Sequence, residues 1–115
     1  MPEATAPPFD LADLDFTLSI DGMPYRVEAK RISARIAGEV EVGYLRDIES
    51  LFGAVLTRRL SLVEVAALQF IAERLAGREP EPGANRDSIT FGAKVDLTLA
   101  EPVAASLGLD ADPEP

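Results

Sequence analysis

The side chains that could do chemistry in this chain are carboxylates in two close pairs, Glu39 with Glu41 and Asp47 with Glu49. Paired acids can divide general acid and general base work when their surroundings push their pKa values apart. Nothing else in the sequence would assist them. There is no histidine and no cysteine, which removes Ser-His-Asp and Cys-His nucleophiles, zinc sites built on imidazole or thiolate, and the usual proton shuttle near neutral pH. Ser61 and Ser88 have no base to activate them. Residues 83–92 lack the glycine order of a dinucleotide turn and the Lys-Ser/Thr end of a phosphate loop. Acid pairs at such spacings are ordinarily solvated charge on a helix. No catalytic residue, metal ligand or cofactor is therefore expected, and functional residues are sought among the apolar ones.

Two helices separated by a short linker, over residues 41–52 and 62–76, must position those residues. The second carries a start signal: Ser61 followed by Glu64 is a capping box, and Leu60 and Val65 are placed for a hydrophobic staple across it. Gly77 supplies a left-handed stop. Its main apolar stripe is Val65, Leu68, Ile71, Ala72 and Leu75, and a second stripe runs through Val63, Ala66 and Phe70. A helix apolar on more than one side is either the covered centre of a small bundle or has a stripe to spare for another protomer or a client helix. On the second reading Phe52, Val63, Ala66 and Phe70 are the contact residues. In the first helix Tyr44, Leu45, Ile48, Leu51 and Phe52 share an arc of about 120°, at 100° per residue. Gly53 reads as its stop, and residues 54–60 as linker. Gly38 and Gly43 argue against extending that helix backwards through 30–38, where Ile32 and Ile36 allow one helical turn.

Alternation of apolar and polar residues predicts strands over 16–20 and 25–29, joined at Asp21-Gly22 as a hairpin with Phe16, Leu18, Ile20, Tyr25 and Val27 facing the core. Residues 89–99 alternate as well, with Ile89, Phe91, Ala93, Val95, Leu97 and Leu99 on one face. As a strand this segment could pair with the hairpin, and as an exposed edge it would invite strand addition by a partner. The expected fold is α+β: an N-terminal hairpin, a small helical bundle and an additional C-terminal strand at 89–99. The expected organisation is a flexible acidic lead over 1–14, one globular domain over 15–100, and an acidic, proline-containing tail over 101–115.

The net charge of −9 in 115 residues sits mostly at the ends. Glu3, Asp10, Asp13 and Asp15 have no neighbouring base, nor do Glu101, Asp110, Asp112 and Glu114, whereas residues 16–100 hold 12 acids against 11 bases. With no basic stripe, nucleic acid is not an expected partner, because phosphate neutralisation supplies most of that affinity. No run of about 18 apolar residues marks a membrane span. The first residues lack the basic and apolar regions of a signal peptide, and the expected address is cytoplasmic.

In order and spacing, the elements resemble the small tail assembly chaperones of long-tailed bacteriophages, especially those of actinobacterial hosts. Ile20-Asp21-Gly22-Met23-Pro24-Tyr25-Arg26-Val27 is similar to that family's short hairpin. Ile48-Glu49-Ser50-Leu51-Phe52-Gly53 is similar to its first helix end. The run from Ala66-Ala67-Leu68 through Arg74-Leu75-Ala76-Gly77 is similar to its second helix, with Gln69 where the family commonly has an apolar residue. Thr90-Phe91 through Asp96-Leu97 is similar to its last motif, where the family has a helical segment. The resemblance spans about residues 15–102. It implies a chaperone that binds the long helical tape measure protein, keeps it soluble, helps to recruit tail tube protein in the host cytoplasm, and is in part extended by a programmed frameshift near the C-terminus. A homo-oligomer is the outcome if the spare stripe of the second helix meets another protomer instead. The competing reading is a small acidic inhibitor or immunity-type protein that occupies a basic site on its partner, which high negative charge would steer.

Overall fold

The computed structural model describes residues 11–100. Three antiparallel strands, β1 (Asp15–Ile20), β2 (Met23–Glu28) and β3 (Val95–Leu99), form one sheet in the order β2-β1-β3. Three helices, α1 (Ala34–Tyr44), α2 (Ile48–Thr57) and α3 (Leu62–Leu75), lie between β2 and β3 in the chain. The fold is α+β, with the hairpin completed by a C-terminal strand.

Local chemistry explains each element. The hairpin turns at Asp21 and Gly22, both at positive φ (50° and 85°), the two-residue geometry that matches strand twist. Phe16, Leu18 and Ile20 point into the core and alternate with half-exposed Asp15, Thr17 and Ser19. α3 begins with the expected capping box: Ser61 N–H donates to Glu64 Oε1 at 2.8 Å, and Glu64 N–H to Ser61 Oγ at 3.2 Å. It ends at Gly77, whose φ of 91° lets Arg78 N–H close on Glu73 O. Eight of the fourteen residues of α3 are buried, on every side of the helix. It is the central helix, and its second stripe is part of the core.

The single helix expected over 41–52 is instead two. α1 starts at a Ser33 cap whose Oγ accepts from Ile36 N–H. It stops at Leu45, which adopts the left-handed conformation. Asp47 then caps α2, accepting from Ser50 N–H. Gly53 does not stop α2, which runs on to Thr57, so most of the expected linker is helix. Gly38 and Gly43 are tolerated inside α1. At Gly43 the absence of a side chain is required, because a Cβ there would lie 2.8 Å from Gly83 N and from the Pro82 carbonyl carbon.

The strand expected over 89–99 is strand only from Val95. A turn closed by Ala93 N–H to Thr90 O reverses the chain first, so Ile89 is buried while Phe91 is 93% exposed. At the N-terminal boundary, Leu11–Asp13 form a 3-10 turn and Leu14 is buried beneath the sheet, so the folded body includes the last residues of the expected lead. The rest of that lead and the tail from residue 101 lie outside the described residues. Among the described residues no helix is long and apolar enough to cross a membrane.

Candidate protein-binding surface

The four residues singled out in the sequence fall mostly inside the molecule. Phe52 is 2% exposed and meets Phe16 edge-on, with ring centroids 6.2 Å apart. Ala66 and Phe70 are buried, and Phe70 packs against Tyr44 at 5.6 Å between centroids. Only Val63 is partly exposed. The second stripe of α3 is covered by α1 and by the loop that follows α3. Asn85 fastens that loop: its Nδ2 donates to Ala66 O at 2.9 Å and to Gln69 Oε1 at 2.6 Å, and its Oδ1 accepts the Tyr44 hydroxyl. The polar Gln69 on this helix is thus a ligand for the loop.

The acid pairs are also placed. Glu39 receives Arg74 Nε at 2.9 Å and Arg35 at 3.7 Å, tying α1 to α3. Asp47 accepts the Ser50 hydroxyl at 2.6 Å, and that bond holds its carboxyl below the usual range. A general acid needs a carboxyl pushed the other way. Glu41 and Glu49 are exposed. Among the described residues no buried side chain is charged, and no cluster of acids could hold a metal ion.

What the surface does offer is apolar. The buried stripe of α1 is Ile36, Val40 and Tyr44. The opposite side carries Ala34, Gly38, Val42 and Leu45, all exposed, Val42 to 81% and Leu45 to 73%. Ala34, Gly38 and Val42, spaced four apart, fall within an arc of about 80° at 100° per residue, and Leu45 follows at the left-handed end of the helix. A Cβ at Gly38 would meet nothing within 4 Å, so no contact within this fold requires glycine there. Beside this stripe lies a cleft of about 290 Å³, lined by Leu11, Ile32, Ala34, Ala37, Ile48 and Phe52 among others. Ala34 belongs to both, so stripe and cleft adjoin. Phe52 thus reaches the surface only as part of a cleft wall.

Sequence reading missed this stripe because it began the helix at Glu41. The Ser33 cap was the available signal. Starting at Ala34 gives α1 two apolar stripes on opposite sides, of which a helix lying on one core can bury only one.

No protein-family model, curated protein or solved structure matches the chain.

Proposed function

We propose that this protein is an assembly chaperone of the phage-tail kind, which covers apolar helical segments of a tape measure protein until the tail tube forms around them. The observation that supports it is the outward stripe Ala34, Gly38, Val42 and Leu45 beside an apolar cleft. Large exposed apolar side chains grouped on one surface are what a protein interface requires. A client helix laid along α1 can approach closely at Ala34 and Gly38, where there is little or no side chain, and can place a large side chain in the cleft. This is helix-in-groove recognition read through anchors at helical spacing. Glycine at an exposed helical position costs about 1 kcal/mol relative to alanine, and close approach of a partner backbone gives Gly38 a reason to be there.

The test is co-expression of this chain with a tape measure protein of an actinobacterial long-tailed phage. The wild-type chain is expected to keep the client in the supernatant, and Val42→Lys with Leu45→Lys to leave it in the pellet. If binding survives those substitutions but collapses between low and high salt, the acidic-inhibitor reading replaces this one.

A further inference from the structure

The two free edges of the sheet are not alike, and the difference follows from which backbone groups face outward. Asp21 N–H donates to Lys94 O at 2.8 Å, and Ala100 N–H to Asp15 O at 2.9 Å. With the register Ser19↔Asp96 and Thr17↔Thr98, β3 therefore turns the N–H and C=O of its even-numbered residues toward β1. Val95, Leu97 and Leu99 present theirs to the outside. Arg58 Nη1 reaches Leu97 O at 3.1 Å from that side, as this parity requires. On β2 the bond from Ala29 N–H to Leu14 O sets the same alternation, so Pro24, Arg26 and Glu28 face outward. Pro24 has no N–H to offer, and a proline with two charged residues is a common way to close an edge. Among the described residues one edge of the sheet is stopped, and the other is met only by Arg58 at the Leu97 carbonyl.

The β3 edge also borders a groove of about 350 Å³ of mixed character, with Leu60, Leu62, Val65 and Leu97 on its walls beside Arg58 and Asp96. Val95, Leu97 and Leu99 lie on the core side of the sheet, yet each remains only half-buried.

We infer that β3 pairs with β3 of a second copy of this chain, antiparallel about a two-fold axis at Leu97. In that register Leu97 pairs with Leu97 of the second copy, and Val95 with Leu99. These are the residues whose backbone groups face outward. Their side chains share the apolar side of the joint sheet, next to the groove. On the solvent side Asp96 stands opposite Thr98 of the second copy, so a hydroxyl can donate to a carboxylate, twice by symmetry. Within the strand pair no like charges are directly opposed, while the two Arg58 side chains, one on each Leu97 O, meet near the axis and must swing aside for the strands to close. Arg58 uses one lone pair of Leu97 O, and a carbonyl has two. The result is a six-stranded sheet whose outer edges are both the Pro24 edge, so pairing stops at the dimer. This pairing is independent of the client-binding reading, which uses α1.

The experiment combines light scattering over a concentration series with residue-resolved amide exchange on the full chain. The wild type is expected to be dimeric at high concentration. The amides of Val95, Leu97 and Leu99 should become protected as the dimer forms, while those of Asp96 and Thr98 are protected throughout. Thr98→Asp changes an exposed residue, sets carboxylates directly opposite each other twice, and should weaken the dimer about tenfold. The double variant Asp96→Lys with Thr98→Asp sets opposite charges face to face and should restore it. A monomer at every concentration overturns the inference. So does protection of the outward amides that does not depend on concentration, or a dimer indifferent to Thr98→Asp.

Discussion

The Tyr44 hydroxyl donates to Asn85 Oδ1, and this bond joins the last turn of α1 to a loop that α3 holds from the other side. Asn85 is engaged at both ends of its amide: the nitrogen donates to Ala66 O and Gln69 Oε1 while the oxygen accepts from Tyr44. Tyr44→Phe leaves the ring on Phe70 but removes the donor. It should cost about 1–2 kcal/mol, the range for leaving a part-buried acceptor without its partner. Asn85→Ala should additionally free the loop, seen as faster proteolysis and amide exchange between residues 78 and 89 with α3 itself still protected. Burial raises the Tyr44 pKa above that of a free phenol. Its contribution is therefore full below the ordinary tyrosine value and is lost as the pH rises through the higher folded value.

Two glycines in one helix should respond in opposite ways to the same substitution. Gly43→Ala drives a methyl group to 2.8 Å from the backbone of Pro82 and Gly83, and neither backbone can give way cheaply. A loss of about 1–3 kcal/mol is expected, as for overpacking elsewhere. Gly38→Ala meets open space and should stabilise the fold by about 1 kcal/mol through helix propensity. Urea unfolding of the two variants separates a packing glycine from one kept for another reason.

Asp47 gives the fold a defined acid sensitivity. The Ser50 hydroxyl and N–H hold its carboxylate, so its folded pKa lies below the ordinary value. Its stabilisation of α2 is complete above the ordinary carboxylate pKa and disappears as the pH falls through the depressed folded one. Urea midpoints of the wild type and Asp47→Ala should differ near neutral pH and converge in acid.

Much of this was legible where a signal was local. The capping box at Ser61 and Glu64, the Asp21-Gly22 turn, the alternation of 16–20 and the stop at Gly77 each depend on a few adjacent residues, and each is found where the sequence puts it. The errors came where a non-local contact decides. Gly43 looks like a helix breaker until Pro82 and Gly83, some 40 residues on, are seen to pack on it. Ile89 and Phe91 share a parity but not a fate, because the turn closed by Ala93 and Thr90 intervenes. Phe70 reads as spare surface because neither Tyr44 nor the Asn85 loop that covers it is visible from α3 alone. The α1 stripe was hidden for a related reason, since it emerges only when the helix is begun at Ser33.

The central claim is that the outward stripe of α1 receives an apolar client helix. The most direct measurement is calorimetric titration of this chain with a helical fragment of a tape measure protein of an actinobacterial long-tailed phage. The series compares the wild type, Gly38→Ala, and Val42→Lys combined with Leu45→Lys. Surface changes of this kind should leave stability within about 0.5 kcal/mol, apart from the gain expected at Gly38. The predicted result is saturable binding by the wild type with a negative heat-capacity change, as burial of apolar surface requires, weakened by Gly38→Ala and lost in the double lysine variant. Equal binding by all three chains, each still folded, would contradict it.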